Sequence, residues 1–296
     1  MAKKISGVIT ALVTPFDDKG NVDFKSLESL VAQQLKAGVQ GFVVNGTTAE
    51  SPTLEKSEVK EIWHLVREKS KPETTLILGT GSNSTAKTIE NTKVAVELKA
   101  DASLVVVPYY NKPPQRGLFQ HFKKVAEETG APILLYNVPG RTACNMSAET
   151  TIELSFIKNI IGIKDASGDM DAAENIRKKS REGFILLSGD DGTYVDFLTC
   201  GGDGIISVGS HILPEIFVKL TELAKSKKFD QARTLIETNK DLIDALYVEA
   251  NPIPVKKALM MMKLISTSQM RLPLISAQAS TEEKLKFEMQ KRGILE

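Results

Sequence analysis

The side chain best suited to catalysis in this 296-residue sequence is that of Lys164. It follows the apolar run 160–163 and precedes Asp165, so it is expected at the carboxyl end of a buried strand. A lysine is a poor nucleophile while protonated, but partial removal from water favours the neutral amine, which attacks carbonyl carbons. By position alone, a strand-end lysine that extends into solvent remains the alternative. The pattern makes Lys164 a candidate nucleophile for amine catalysis.

Three hydroxyl-bearing residues that follow other predicted strands could move protons near such an amine. Tyr136 ends the strand that precedes the one with Lys164, whereas Thr47 and Tyr110 follow two earlier strands. A phenol or a threonine hydroxyl both donates and accepts hydrogen bonds, so a row of them can relay a proton. Tyrosine and threonine are also common in strands for purely structural reasons, and each residue alone is a weak signal.

Arg141 lies in the segment YNVPGRT at 136–142, whose Pro-Gly pair predicts a tight turn just beyond a strand end. A guanidinium at this place could hold a carboxylate through two parallel hydrogen bonds. Taken by its position alone, Arg141 fits a solvated loop arginine better.

Sequence motifs for metal or phosphate binding are incomplete. The segment 79–83 resembles a phosphate-binding loop, but no GK[ST] follows it. The segment 189–192 lacks the ligand spacing of a calcium loop and predicts a turn that caps the next helix. His64, His121 and His211 have no partner at ligand spacing, whereas metal-dependent carbonyl chemistry would need a His/Glu cluster. The sequence predicts no metal site.

Eight short β-rich apolar runs recur along the chain, each followed by a polar loop and a segment with helical periodicity. Continuous rather than alternating apolar character indicates strands that are buried on both faces, as in a parallel sheet covered by helices. Successive runs start roughly 20–35 residues apart, which is the length of a βα unit. The predicted strands are 7–13, 41–44, 75–78, 103–107, 133–136, 160–163, 184–187 and 204–207.

Eight βα units favour an α/β fold of the (β/α)8 TIM barrel type over an open, doubly wound sheet. Residues with reactive side chains follow one strand after another. This is expected in a barrel, where all strands end at the same C-terminal rim. An open sheet would gather them at one switch point and would carry a glycine fingerprint in its first βα turn. That turn reads TPFDDKGN and has no such fingerprint.

The strand pattern stops after about residue 226, and helical patterns follow. The predicted helices are 229–250, 254–265 and 281–292. The chain is therefore predicted to consist of a barrel domain over 1–226 and a C-terminal helical extension over 227–296.

The composition points to small-molecule chemistry. With 38 Lys and Arg against 37 Asp and Glu, the net charge of +1 gives no reason to expect nucleic acid or a membrane surface as a partner. No apolar stretch approaches the roughly 18 residues that span a bilayer. Cys144 and Cys200 cannot build a disulfide framework, which fits a reducing, cytoplasmic setting.

Six strings, in this order, resemble the dihydrodipicolinate synthase / N-acetylneuraminate lyase family over essentially the whole chain. They are GTTAES at 46–51, PYYNKP at 108–113, YNVPGRT at 136–142, GIKDASGD at 162–169, SGDD at 188–191 and NPIPVK at 251–256. The resemblance implies a Schiff-base-forming class I aldolase. Arg141 and the Tyr109-Tyr110 pair favour a member that condenses pyruvate with L-aspartate 4-semialdehyde in lysine and diaminopimelate biosynthesis.

The family pattern implies that Lys164 forms the Schiff base with pyruvate, so that no separate cofactor is expected. Tyr136, Thr47 and Tyr110 would form the proton relay. Tyr110 would reach into the site of a neighbouring subunit, in a homotetramer built as a dimer of dimers.

The same pattern implies the substrate contacts. Thr48 would bind the pyruvate carboxylate, and Arg141 would bind the carboxylate of the semialdehyde. The main-chain carbonyls of Gly189 and Ile206 would line the environment of the lysine. Ala49 replaces the glycine of the usual GTTGES string, a change of one methyl group that is expected to be tolerated.

A remnant of a feedback site is also expected from the resemblance. In members inhibited by lysine, a histidine and a glutamate contact the effector at positions that align with Lys56 and Lys87 here, whereas Asn83 and Tyr109 are retained. Two ammonium groups repel a cationic effector, and the acidic partner of its amine is missing. The sequence predicts weak inhibition by lysine or none.

Two alternative functions stay open at this stage. Another pyruvate-dependent aldolase, of the 2-keto-3-deoxy sugar acid or N-acetylneuraminate lyase type, would keep the lysine but accept a long polyol. A non-catalytic barrel that binds an oxo acid as a sensor would keep the fold and lose the relay.

Overall fold

The computed structural model describes residues 5–296. Its sheet is a closed barrel in which the eight strands pair in the order in which they occur in the chain. The pairs from β3 to β8 are parallel. The predicted barrel is thus confirmed. The strands, β1 to β8 in chain order, are Gly7–Ala11, Gly41–Val44, Thr75–Gly79, Ala102–Val106, Ile133–Asn137, Ile160–Asp165, Ile185–Ser188 and Gly204–Ser207.

The predicted strand ends differ from the observed ends where polar residues continue a ladder. β6 runs two residues beyond its apolar stretch, because Lys164 pairs with Leu187 and Asp165 pairs with Ser188 on β7. β5 likewise includes Asn137, which pairs with Asp165. Lys164 therefore lies inside β6, where strand hydrogen bonds fix its backbone, and not in the loop that follows.

Helices connect the strands and form the C-terminal part of the chain. The helices, α1 to α12 in chain order, are Phe24–Lys36, Lys56–Lys69, Thr85–Glu97, Gln115–Thr129, Pro139–Thr142, Ala148–Ser155, Met170–Lys179, Tyr194–Thr199, Pro214–Lys225, Phe229–Ala245, Ile253–Met261 and Ala279–Lys291. Short 3-10 helices are Thr47–Ala49, Ser51–Thr53 and Gly209–His211. None of the helices within residues 5–296 combines the length and apolar character of a membrane-crossing helix.

Helix starts are set by local polar groups. The Asp169 carboxylate accepts a hydrogen bond from the backbone N–H of Ala172 and so caps α7, the helix that follows β6. The Asp190 carboxylate accepts from the N–H and the hydroxyl of Thr193, just before α8. The predicted turn at 189–192 is thus present before α8, but the N-cap residue of that helix is Thr193 and no side chain caps it.

The C-terminal helices begin near their predicted positions, and all three end before their predicted last residue, α12 at Lys291 and the other two by a larger margin. α10 ends at Ala245, because Leu246 and Tyr247 close a turn on the carbonyls of Ile243 and Asp244. α11 ends at Met261, where the N–H of Lys263 turns back to Met260. The predicted boundary at residue 226 falls in the connection between α9 and α10 and remains a prediction.

The chain divides into two compact units. Of the residues described, the first comprises 5–9 together with Thr75–Ile206. Its core lies between strands β4 to β7 and the helices of the same unit, and is built by residues that include Val105, Phe122, Ile133, Leu135, Ile163, Phe184 and Leu186. Because both faces of these strands are covered, their sequences are apolar without alternation.

The second unit comprises Thr10–Thr74 and Ser207–Glu296. Within it α9 packs on α10, and α12 packs on both α10 and α11. Its largest fully buried side chains include Trp63, Phe16 and Phe217. This unit therefore contains β2 and the loop after it, together with the C-terminal helices.

Candidate active site

Lys164 and Tyr136 face each other across two neighbouring strands of the first unit. They are register partners on β6 and β5. The Lys164 amine lies 4.3 Å from the centre of the Tyr136 ring. Both side chains are buried, with 6% and 7% of their surface exposed. Within residues 5–296 the amine has no ion-pair partner. A buried amine that touches a phenol and no counter-charge suits nucleophilic attack on a carbonyl.

Gly189 provides the space in which the Lys164 side chain lies. A methyl group at this glycine would come within 2.8 Å of Lys164 Cε and 2.8 Å of Ala166 Cβ, both closer than real side chains approach. The backbone is held in place, because the N–H of Gly189 donates to the Asp165 carbonyl at 2.6 Å. Position 189 is thus occupied by glycine because a larger residue would take the space of the Lys164 side chain.

Asp165, the residue after the lysine, is turned toward other polar groups. Its carboxylate accepts hydrogen bonds from Asn137 Nδ2 at 3.0 Å and from the Ser167 hydroxyl at 2.6 Å. Burial raises the pKa of this carboxyl, although the two hydrogen bonds act in the opposite direction. A cavity of about 530 Å³ is lined by Asp165 and Asn137, but neither Lys164 nor Tyr136 lines it.

The Thr47-Thr48 pair belongs to the second unit and forms a 3-10 turn directly after β2. Thr48 is buried, and its hydroxyl oxygen accepts a hydrogen bond from Asn251 Nδ2 at 2.9 Å. The carbonyl of Ala49 accepts from the Thr14 hydroxyl at 2.9 Å. The turn ends at Glu50, whose φ of 59° lies in the left-handed region, whereas Ala49 is not among the residues with positive φ. An alanine at position 49 is therefore compatible with this backbone.

A buried ion pair holds the same turn. Lys256 Nζ lies 2.7 Å from Glu50 Oε1, and the two side chains are 0% and 1% exposed. The amine also donates to the Gln269 carbonyl at 2.6 Å and lies 4.3 Å from the centre of the Phe16 ring. Burial lowers the pKa of Lys256, and the Glu50 carboxylate opposes that shift.

Arg271 completes the polar surroundings of Glu50. Its backbone N–H donates to Glu50 Oε2 at 3.0 Å, and its guanidinium donates to the Thr53 carbonyl at 2.7 Å. The guanidinium also forms a bidentate pair with Glu58, which lowers the pKa of that carboxyl. Both carboxylate oxygens of Glu50 are therefore hydrogen-bonded by groups of the C-terminal segment.

Two of the predicted contact residues belong to the first unit, one after a strand and one within a strand. Arg141 lies on the one-turn helix α5, directly after β5, and its side chain is exposed. Ile206 is buried in β8. Both positions agree with strand-end residues of a barrel, and the roles that the resemblance implies for them remain predictions.

The aromatic pair in the loop after β4 is held outward. Tyr110 is 87% exposed, and its φ of 76° together with the 2.9 Å bond from the Asn111 N–H to the Tyr109 carbonyl resembles a strained γ-turn. Asn111 Nδ2 also donates to the Asn83 carbonyl at 2.9 Å, which ties this loop to the loop after β3. Tyr110 is therefore presented to the outside of its own chain.

The two lysines at the predicted effector positions are both exposed. Lys56 begins α2 in the second unit, and Lys87 lies in the first turn of α3 in the first unit. Both side chains are therefore in contact with solvent. The predicted effect on lysine binding remains a prediction.

The structure brings Tyr136, Lys164 and Gly189 into direct contact, and it exposes Arg141 and Tyr110. Sequence reasoning missed the contact of Asn251 with Thr48 and the ion pair of Glu50 with Lys256. Their sequence signals were the strings GTTAES at 46–51, in which Glu50 had no assigned role, and NPIPVK at 251–256, to which no role was assigned. Among the residues described, no three or more His, Cys, Asp or Glu side chains are grouped so as to hold a metal ion.

Comparison with known proteins agrees with this geometry over the full length of the chain. The chain is 51% identical to the 4-hydroxy-tetrahydrodipicolinate synthase of Bdellovibrio bacteriovorus, over 99% of this chain and 100% of that protein. The dihydrodipicolinate synthase of Thermotoga maritima superposes with a TM-score of 0.96 at 40% identity, covering 99% of this chain and 100% of the other.

A third protein is the chloride-inhibited dihydrodipicolinate synthase of Acinetobacter baumannii in complex with pyruvate. It gives a TM-score of 0.95 at 42% identity and covers 98% and 100% of the two chains. The family model described as the Dihydrodipicolinate synthetase family matches residues 4–292. With the lysine, the phenol and the barrel in the expected arrangement, the chain belongs to the dihydrodipicolinate synthetase family.

Proposed function

We propose that this protein is a 4-hydroxy-tetrahydrodipicolinate synthase, a class I aldolase-type lyase that condenses pyruvate with L-aspartate 4-semialdehyde. The observation that carries the proposal is the buried Lys164 amine, 4.3 Å from the Tyr136 ring and without an ion-pair partner in residues 5–296. Full-length relatives with this name, at up to 51% identity, support the assignment of the substrates.

In the first stage Lys164 Nζ attacks the C2 carbonyl of pyruvate to form a carbinolamine. Loss of water from this adduct gives the Schiff base, and the departing hydroxyl needs a proton. Tyr136 is the buried phenol beside the amine and supplies this proton. Thr47 and Tyr110 return it through the relay that the family pattern implies. The Schiff base forms on the protein's own amine, so that the reaction needs no separate cofactor.

In the second stage the Schiff base loses a proton from C3 and becomes an enamine. Its C3 carbon attacks the aldehyde of the semialdehyde, and the aldehyde oxygen takes up a proton as a hydroxyl. The amino group of the semialdehyde then attacks C2, which closes the ring and frees the Lys164 amine. The sum is one pyruvate and one semialdehyde converted to the heterocycle and one water. Thr48 holds the pyruvate carboxylate and Arg141 the semialdehyde carboxylate.

The proposal extends to assembly and location. A homotetramer, built as a dimer of dimers, would let Tyr110 act in the site of a neighbouring copy. Its 87% exposure and its left-handed backbone support this role, because such strain is kept where the position has a use. The cytoplasm is the proposed compartment, since the substrates are metabolites and the chain has only two cysteines.

Borohydride trapping tests the proposed chemistry directly. The protein is incubated with pyruvate and borohydride, digested and analysed by mass spectrometry. We expect a reduced pyruvate adduct on Lys164, no adduct in Lys164→Ala, and a loss of synthase activity of at least ~10³-fold in that variant. Lys178→Ala removes a lysine that is exposed on α7 and pairs with Glu174, and it serves as the control that keeps both the adduct and the activity.

A second assay tests the aldehyde partner. Pyruvate is offered with either aspartate 4-semialdehyde or glyceraldehyde, and the consumption of each aldehyde is followed. Preference for the semialdehyde is expected, and it should fall in Arg141→Ala. Preference for glyceraldehyde would assign the chain to a sugar-acid aldolase, and an unmodified Lys164 after trapping would contradict amine catalysis altogether.

A further inference from the structure

We infer that Asn251 is a positioning residue for the oxo-acid carboxylate and acts by orienting the hydroxyl of Thr48. The inference rests on the proposed function, in which Thr48 binds the carboxylate of pyruvate. Asn251 and Thr48 are both buried and belong to the same unit of the chain. Asn251 Nδ2 lies 2.9 Å from Thr48 Oγ1, although 203 residues separate the two in sequence.

The direction of this hydrogen bond decides what Thr48 can offer a ligand. The amide nitrogen of Asn251 can only donate, so the Thr48 oxygen accepts. A hydroxyl that accepts from the protein keeps its own hydrogen for another partner. A carboxylate can only accept hydrogen bonds, so the contact leaves Thr48 in the orientation that a carboxylate requires.

The surrounding framework fixes both partners. Glu50 lies two residues after Thr48, and Lys256 lies five residues after Asn251 on the same segment. Their ion pair, at 2.7 Å and fully buried, gives a second contact between the two segments. Two contacts hold the segments more rigidly than one, because a single hydrogen bond leaves rotation about it free. Asn251 is therefore held by the C-terminal segment as an orienting group for the turn after β2.

The substitution Asn251→Asp tests the inference, because it keeps the shape and replaces the donor by an acceptor. The Thr48 hydroxyl would then donate to the new carboxylate and turn its lone pairs toward the ligand. The pyruvate concentration that half-saturates borohydride trapping on Lys164 should rise about 10-fold to 100-fold. Asn251→Ala removes the donor without adding a charge and should give a smaller rise of the same kind.

The matched control is Asn239→Asp. Asn239 is buried to a similar degree, 7% against 6% exposed, and donates its side-chain amide to the Leu235 carbonyl within α10. A general loss of stability in the C-terminal helices would affect both variants. Orientation of Thr48 would change only the variants at position 251, so Asn239→Asp should keep the wild-type half-saturation point.

A double substitution separates positioning from folding. In Thr48→Val the hydroxyl is absent, and Asn251→Asp should then cause no further rise in the pyruvate requirement. A rise of the same size in both backgrounds, or an unchanged requirement in Asn251→Asp and Asn251→Ala, overturns the inference. If Asn251→Asp does not fold, Asn251→Ala is compared in the wild-type protein and in Thr48→Val. A rise in the pyruvate requirement in the wild-type background alone then supports the inference.

The outcomes also distinguish this inference from the proposed function. If the wild-type protein forms no adduct at any pyruvate concentration, the proposed function is wrong and the inference falls with it. If the wild-type protein forms the adduct and the position 251 variants saturate at the same concentration, only the inference is wrong.

Discussion

Two buried lysines lie in the two units of this protein, and they differ in their partners. Lys164 is 6% exposed and Lys256 is 0% exposed. Each amine lies 4.3 Å from an aromatic ring, that of Tyr136 in one unit and that of Phe16 in the other. Lys256 is also paired with a carboxylate at 2.7 Å and a carbonyl at 2.6 Å, whereas Lys164 has no ion pair in the described part of the chain.

The comparison shows that burial and an aromatic neighbour do not identify a nucleophile. An amine held by a carboxylate and a carbonyl has its protons committed to fixed acceptors, and it contributes to structure. An amine on a strand, beside a phenol and beside a glycine that leaves it room, is available for chemistry. The counter-charge, and not the depth of burial, separates the two lysines.

The largest effect is expected when the ion pair between Lys256 and Glu50 is broken. Glu50→Gln keeps the shape but leaves a buried ammonium without its counter-charge. We expect the free energy of unfolding, measured by urea denaturation, to fall by about 3 kcal/mol or more. The double variant Glu50→Gln/Lys256→Met should lose less than the sum of the two single variants.

The control for this prediction is an ion pair on the surface. Lys240 and Asp244 are 2.8 Å apart and about half exposed, so Asp244→Asn should cost less than about 1 kcal/mol. If Glu50→Gln costs no more than this control, the buried pair does not hold its segments, and the contrast between the two lysines is lost.

Acid should weaken both units through buried histidines. Burial lowers the pKa of His121 in the first unit and of His211 in the second to about 4. His211 is fixed as the neutral ring, because its Nε2 accepts from the Val13 N–H and its Nδ1 donates to the Val208 carbonyl. In the unfolded chain the two histidines have pKa values near 6.5, so as the pH falls they take up a proton there before they do so in the folded protein. Stability therefore falls as the pH falls from about 6.5 to about 4, by up to roughly 3 kcal/mol per histidine.

The measurement is the free energy of unfolding between pH 7 and pH 4.5, for wild type and for His121→Asn. The slope of the variant should be smaller by about 1.4 kcal/mol per pH unit, which corresponds to one proton. The raised pKa of Asp165 acts with the opposite sign and offsets part of the loss. Equal slopes in the two proteins would show that His121 takes up its proton in the folded state as readily as in the unfolded chain.

The fold was predictable because each strand is covered on both faces and therefore reads as a continuous apolar run. The same criterion misplaced the end of β6, since it stopped at Ile163 and excluded the polar ladder residues Lys164 and Asp165. The register that sets Tyr136 opposite Lys164 follows from ladder hydrogen bonds between segments 28 residues apart, which no local pattern reports.

The polar network of the second unit was not predictable by the same reasoning. Glu50 and Lys256 are 206 residues apart, and a lysine in a helical pattern is normally read as a solvated residue. Gly189 was expected to contribute a carbonyl, which remains a prediction, and the structure adds that its missing side chain makes room for Lys164. Such requirements come from three-dimensional proximity and have no spacing rule in the sequence.

Gly189→Ala tests whether Lys164 needs the space that the glycine leaves beside it. The added methyl group would meet Lys164 Cε at 2.8 Å and displace the amine from its place beside Tyr136. Misplacement of a reacting group by about 1 Å can slow a reaction by about 10²-fold, and we expect up to this loss in the rate of Schiff base formation. The readout is the rate of borohydride-trapped adduct at saturating pyruvate.

Gly192→Ala is the matched control for the glycine. A methyl group there meets only Asp190 Oδ1 at 3.5 Å, an ordinary van der Waals contact, so the rate should stay at the wild-type value. Equal rates in Gly189→Ala and Gly192→Ala would mean that the lysine side chain has more room than its contacts indicate.

The smallest effect is expected from free lysine as an effector, which depends on two exposed lysines and not on the buried ones. Lys56 and Lys87 carry ammonium groups where the family pattern expects a histidine and a glutamate for a lysine effector. Like charges disfavour a cationic ligand, so free lysine at millimolar concentration should leave the synthase rate unchanged. Lys87→Glu restores the acidic partner and should introduce measurable inhibition, which Lys56→His should strengthen. Inhibition of the wild-type protein by sub-millimolar lysine would show that the charges of Lys56 and Lys87 do not prevent lysine from binding.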